Sequence, residues 1–146
     1  MADYTLGYTA TEIDELLDKV NNMTDYIVES GTSGIWTYEK WNSGKIRMTG
    51  RTTSIIYASS WVAIGDAFYA TIASKDFPFT LQSVKYFNWY IQNASAGYMF
   101  FTLSCPTSTS VGVTTSSTGD VAAGRPTKPN YNLDIDLFYE VEGTWK

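Results

Sequence analysis

Histidine is absent from the 146 residues, and cysteine occurs once, at Cys105. Without histidine, Ser-His-Asp and Cys-His catalysis and His-ligated zinc are excluded. One thiol can form neither an internal disulfide nor a thiolate metal cluster. Cys105 closes an apolar run from Tyr98 and reads as a small buried hydrophobe. Basic residues are few: 10 Lys and Arg stand against 15 Asp and Glu, for a net charge of −5. They form no cluster, so nucleic-acid phosphates find no basic patch and nucleic acid is not an expected partner. No apolar run approaches the ~18 residues of a membrane span, so no membrane insertion is expected. Met1-Ala2-Asp3-Tyr4 has neither a basic n-region nor an apolar h-region, which points to a soluble chain made in a cytosol. No P-loop, dinucleotide-binding glycine pattern or calcium loop occurs, and no cofactor is expected.

Aromatic residues, in contrast, make up 16% of the chain, with 11 Tyr, 7 Phe and 5 Trp. Disordered chains are poor in aromatics, so the body folds. At this length one domain can bury a core without disulfides or metals. Abundant Ser, Thr and Gly favour an all-β body.

One helix precedes that body. Thr9-Ala10-Thr11-Glu12 is a capping box, and Tyr8 and Ile13 occupy the positions of a hydrophobic staple. Ile13, Leu16, Val20, Met23 and Ile27 fall at heptad positions a, d, a, d and a, with Leu17 widening the stripe. A helix from Ala10 to about Thr24 is marginal alone in water and must pack against something. Two partners fit: the β body, or copies of itself in a short coiled coil. The strict a/d spacing favours the second. The reading divides the chain into a lead-in and helical stalk over 1–29 and a β head over 30–146, with Ser30 to Gly34 as a Gly/Ser/Thr linker.

The clearest strand–turn–strand signal follows. Ile35 to Trp41 alternates, Trp36, Tyr38 and Lys40 pointing one way and Ile35, Thr37, Glu39 and Trp41 the other. Asn42-Ser43-Gly44 supplies a turn, and Lys45 to Thr49 returns. Arg51–Tyr57 is expected as a further strand, and Gly65-Asp66 as the tip of a hairpin between Trp61–Ile64 and Ala67–Ile72. Lys75 to Phe79 reads as a loop because Pro78 lacks an amide donor. Over Leu81–Gln92, Lys85, Phe87, Trp89 and Ile91 form the expected core face; Val84, Tyr86, Asn88, Tyr90 and Gln92 form the other. Tyr98–Cys105 is a strand, Val111-Gly112-Val113 a short one, and Val121–Asn130 a loop. In the last strand, expected over Tyr131–Glu142, Tyr131, Leu133, Ile135, Leu137, Tyr139 and Val141 alternate with Asn132, Asp134, Asp136, Phe138, Glu140 and Glu142. About eight to ten antiparallel strands result, a β-sandwich or jelly roll.

Four candidates could carry a function. Tyr86, Asn88, Tyr90 and Gln92 combine aromatic rings with amides, the chemistry that meets sugar C–H faces and hydroxyls; the plain alternative is packing against a second sheet or subunit. Trp61 with Asp66 is a second candidate, and Arg125 in the Pro/Gly segment a third. Asp134 and Asp136 share a face roughly 7 Å apart, within the carboxylate range of inverting glycosidases. Two solvated carboxylates on the outer face of an antiparallel sheet are the simpler explanation, since no cleft is marked in the sequence.

The run Tyr26-Ile27-Val28-Glu29-Ser30-Gly31-Thr32-Ser33-Gly34-Ile35-Trp36-Thr37-Tyr38-Glu39-Lys40-Trp41-Asn42-Ser43-Gly44 resembles a block in tail-associated structural proteins of bacteriophages and prophages, mostly those of Gram-positive gut bacteria. Glu142-Gly143-Thr144-Trp145-Lys146 is similar to the family's closing strand. At Ile46-Arg47-Met48-Thr49-Gly50 the chain departs from the family, which carries an acidic residue, Cys and Trp before a glycine there. The resemblance implies a tail-fibre or receptor-binding head assembled in the host cytoplasm into the virion tail. It implies a homotrimer with a helical stalk, contacts with other virion tail proteins, and recognition of host cell-surface polysaccharide without catalysis. The stalk residues would then be Ile13, Leu16, Val20, Met23 and Ile27, with Trp36 and Trp41 at the junction of stalk and head. A purely structural virion protein and, at greater distance, a glycan-cleaving enzyme using Asp134 and Asp136 are the alternatives.

Overall fold

The computed structural model describes residues 7–21, 25–92, 101–104 and 111–146; the side chains of Asn21, Gln92 and residues 101–104 are outside the description. One α-helix, a single 3-10 turn at Ala58–Ser60 and eleven strands are present among these residues, and the strands form antiparallel sheets arranged as a β-sandwich.

The helix α1 spans Ala10–Asn21. Its capping box forms: the Thr9 amide donates to Glu12 Oε2 at 2.7 Å and the Glu12 amide to Thr9 Oγ1 at 3.3 Å. The Thr9 amide and then its hydroxyl hold the Glu12 carboxyl below its ordinary pKa. Every residue from Ala10 to Val20 is exposed. The helix is shorter than the heptad implies. Met23 lies outside the described residues, and Ile27 belongs to a strand, not to the stripe. The cause is local. Asp25 accepts from the Ser43 hydroxyl at 2.8 Å, and the Tyr26 and Asn42 main chains are tied together, so the chain is already docked on the hairpin. The linker expected over Ser30–Gly34 is likewise replaced by structure. Strand β1, Ile27–Ser33, pairs with β2, Trp36–Trp41, around a turn in which Gly34 takes φ +59°.

The five-stranded sheet has the order β1-β2-β3-β11-β7, where β3 is Lys45–Ile56, β7 is Ser83–Gln92 and β11 is Leu133–Thr144. The strand runs expected as Lys45–Thr49 and Arg51–Tyr57 are one strand. Gly50 does not break it: a Cβ there would come within 2.8 Å of the Trp36 indole carbons, so glycine makes room for the ring. Opposite stands a four-stranded sheet, β4-β5-β10-β8, of Val62–Ile64, Ala67–Ile72, Val121–Arg125 and Phe101–Ser104. A two-stranded piece joins β6, Asp76–Leu81, to β9, Thr115–Ser117. Two expected loops are therefore strands. Pro78 is tolerated in β6 because the β6–β9 register is irregular across it. β10 is a central strand of Ala and Gly, residues with little strand preference, held by pairing on both sides. Val111 makes only an isolated bridge to Val84.

The core lies between the sheets. Trp36, Ile46, Met48 and Ile56 face Ala70, Ile72, Val121 and Ala123, and the inward residues of β11 are buried from Leu133 to Val141. In β7 the alternation slips. The register passes from Glu142–Tyr86 to Gly143–Val84, so Lys85 is an extra residue in a bulge. Val84 turns inward and is fully buried, and Lys85 is exposed, opposite to its expected place.

Tyr139 is buried, and its hydroxyl has no hydrogen-bond partner among the described residues. Burial pushes its pKa up to about 12. A raised pKa stabilises the fold below the ordinary value of 10, and that contribution is lost as pH climbs through about 12. Tyr139→Phe is expected to leave stability at neutral pH within about 1 kcal/mol, on the stabilising side, because it removes an unsatisfied hydroxyl. Its melting temperature should then hold up better than the wild type's in scans from about pH 9 to 12.

Candidate functional site

The outer face of the five-stranded sheet gathers the polar and aromatic residues. The register sets them in rungs across the strands. One rung reads Tyr90 on β7, Phe138 on β11 and Arg51 on β3. The next reads Asn88, Glu140, Thr49, Thr37 and Thr32. A third reads Tyr86, Glu142, Arg47, Glu39 and Ser30. Rungs on one face are two residues apart, about 7 Å. Apart from Glu140, the middle rung carries short side chains and the outer two carry long ones, so the face is a trough with its floor on Thr37, Thr49 and Asn88.

One wall is rigid. Tyr90 and Phe138 stack with centroids 5.1 Å apart and planes 5° from parallel. The Arg51 guanidinium lies 5.2 Å from the Phe138 centroid and 3.3 Å from Asp136. The other wall holds Tyr86, 48% exposed and without a ring or hydrogen-bond partner among the described residues. Three hollows lie along the trough. One of about 90 Å³ touches Tyr86, Arg47 and Glu140. One of about 170 Å³ lies by Thr37, Glu39, Arg47 and Thr49. One of about 200 Å³ is bounded by Thr37, Thr49, Arg51 and Phe138. Glu140 is half-buried in the middle rung, and its carboxylate has no ion pair or hydrogen bond among the described residues.

The sheet's end is held by an aromatic cradle. Lys40 is buried, with Nζ 3.0 Å from Glu29 and 3.3 Å from the Phe79 centroid, and Trp145 adds a ring at 5.1 Å. The Lys40 ammonium and then the Tyr38 hydroxyl, which donates at 2.9 Å, hold the Glu29 carboxyl below its ordinary range. This cradle fastens β1 to β2 and contributes structure rather than an open site.

Of the residues singled out from the sequence, Tyr86, Asn88 and Tyr90 come together on the trough, while the Gln92 side chain lies outside the description. Trp61 is 3% exposed and belongs to the core; Asp66 is exposed in the Gly65 turn, so the two share no surface. Trp61 thus offers no ring face to a ligand. Arg125 sits at the end of β10, buried, instead of in an exposed loop. Trp36 is buried inside its own chain, where Nε1 donates to the Asp76 carbonyl at 2.7 Å, and so is not available to a neighbouring subunit. Trp41 is half-buried on the outer face, 4.9 Å from Lys45 Nζ. Asp134 is exposed, and Asp136 pairs with Arg51 one rung outside the trough, so the two do not form a pair of free carboxylates. The middle-rung residues Thr37, Thr49 and Glu140 and the wall residues Arg47 and Phe138 carried no sequence signal, because only the register assembles them.

Comparison with family models, curated proteins and solved structures gives no significant match. The function therefore rests on the chain's own chemistry.

Proposed function

We propose that this chain is a bacteriophage tail-fibre or receptor-binding head that assembles as a homotrimer through α1 and recognises host cell-surface glycan without catalysis. The observation that carries the reading is the trough. It is shallow, open, lined by hydroxyls, an amide and a carboxylate, and walled by tyrosines, which suits hydroxyl-rich rings with apolar faces. The resemblance of Tyr26–Gly44 to phage tail proteins agrees with a virion location. The apolar stripe of α1 supplies a means of trimerisation, and linking three weak sites raises avidity by ~10²–10⁴.

A purely structural virion role is the second reading. It is favoured by the outer face of the four-stranded sheet, where Val62 and Ile64 are exposed beside Tyr69 and suit contact with other tail proteins. Binding of the full chain to a glycan array and to Gram-positive cells separates the two. Retention on defined saccharides and on intact cells supports the receptor-binding head; failure on both leaves the structural role. Depolymerisation of any bound polymer would contradict the non-catalytic reading.

A further inference from the structure

We propose that Tyr90 is the platform of the glycan site, with a pyranose stacked on the ring face that Tyr90 turns away from Phe138, at the β7 end of the trough. Phe138 and Arg51 are the positioning residues of that ring. This deepens the glycan-binding reading above and rests on it.

The sheet order decides which ring face is free. β7 is the last of the five strands, and its neighbour is β11. Tyr90 registers with Phe138 on β11, and Phe138 with Arg51 on β3. The stack therefore runs along the rung, from Arg51 through Phe138 to Tyr90. Phe138 is covered on both sides, by Tyr90 at 5.1 Å and by the Arg51 guanidinium at 5.2 Å. Tyr90 is the open end. It is 41% exposed and has no second ring and no hydrogen-bond partner among the described residues. Because Phe138 covers one face, that exposure belongs to the other face and the hydroxyl rim. Inside the trough a ligand meets the rims of this stack; at the β7 edge it meets a face.

The contacts behind Tyr90 fix the ring before a ligand arrives. Asp136 accepts from the Arg51 guanidinium at 3.3 Å, Arg51 lies against Phe138, and Phe138 lies parallel to Tyr90. A side chain already held in its bound orientation loses little freedom on binding. Tyr86, on the same face of the same strand, is as exposed but has no ring behind it. Backing, not exposure, sets Tyr90 apart.

The ligand class follows from the ring and its neighbour. A flat aromatic face suits a flat face of C–H bonds. Asn88, two residues along the same face of β7, is exposed and makes no hydrogen bond among the described residues. Its amide offers two donors and an acceptor beside the platform. A pyranose supplies both counterparts, C–H bonds on its face and hydroxyls around its rim. A planar aromatic group supplies the first without the second.

The test measures retention of the full chain on purified Gram-positive wall polysaccharide. Saturation transfer from the protein's aromatic protons to oligosaccharides released from that polysaccharide is read by NMR. Tyr90→Ala should lower retention about tenfold or more at unchanged Tm and abolish transfer to the C–H protons of one sugar face. Tyr90→Phe should stay near wild type, because the ring face carries the contact and the hydroxyl does not. Phe138→Leu, which removes the backing ring, should weaken both retention and transfer, and Phe138→Tyr should restore them. Arg51→Met loosens the stack from its far end and should act in the same direction, which keeps the test open if Phe138→Leu fails to fold. Wild-type retention by Tyr90→Ala overturns the platform while glycan recognition stands. Equal losses in Tyr90→Phe and Tyr90→Ala overturn the stacking, since the hydroxyl would then carry binding. Wild-type retention and transfer in both Phe138→Leu and Arg51→Met overturn the positioning role. A wild-type chain that is not retained removes the platform and the glycan reading together.

Discussion

Trp36→Ala is expected to destabilise the head by about 3–5 kcal/mol, lowering its Tm by roughly 10 °C or more in calorimetry. Trp36 sits where three elements meet. Its ring meets Phe77 of β6 edge-on at 5.1 Å and Tyr139 of β11 at 5.6 Å. It lies over Gly50 of β3, and its Nε1 fixes the start of β6 through the Asp76 carbonyl. Truncation leaves a cavity and orphans that carbonyl, and the surroundings are strands that cannot collapse far. Gly50→Val tests the same contact from the other side. The added carbons collide with the indole, and the expected cost is about 1–3 kcal/mol. Because both changes act on one contact, Gly50→Val should cost much less in the Trp36→Ala background. Equal costs in the two backgrounds would show that the ring does not depend on this glycine.

The second large effect concerns assembly. Leu16→Lys combined with Val20→Lys is expected to convert a trimer into monomers at micromolar concentration, read by light scattering, while the head keeps its Tm. In α1, Ile13, Leu16, Leu17 and Val20 are 38–57% exposed. A helix of 12 residues is marginal in water unless its apolar stripe is covered. Substituting two stripe residues with lysine places like charges together in any self-associated bundle. A wild-type chain that already scatters as a monomer would contradict the stalk, and an unchanged trimer in the double variant would place the contacts in the heads.

Much of the head is readable from alternation, and the misses have physical causes. β11 and β2 are half-buried strands, so Leu133–Val141 and Trp36–Trp41 display period two without ambiguity. β1 and β10 do not. Ser30-Gly31-Thr32 and Ala122-Ala123-Gly124 carry little side-chain signal, and both become strands because neighbouring backbones need their hydrogen bonds. The bulge at Lys85 adds one residue, so the alternation read back from Tyr86–Gln92 fails on its other side, and Val84 and Lys85 exchange places while Tyr86 to Ile91 keep their expected faces. A lone Trp61 beside a turn has no period to say which way it points. The candidate site was half legible. Tyr86, Asn88 and Tyr90 lie on one strand and could be read together. Thr37, Thr49 and Glu140 come from distant parts of the chain, and only the β2–β3–β11 register makes them neighbours.

Glycan recognition on the outer face of the five-stranded sheet is the central claim, and Tyr86→Ala tests it most directly. This ring is exposed, makes no ring or hydrogen-bond contact among the described residues, and can be removed without touching the core. Retention of the full chain on purified Gram-positive wall polysaccharide should fall about tenfold or more in Tyr86→Ala at unchanged Tm, and should stay at the wild-type level in Val62→Ala on the opposite sheet. Wild-type retention by Tyr86→Ala, or loss in Val62→Ala instead, would contradict it.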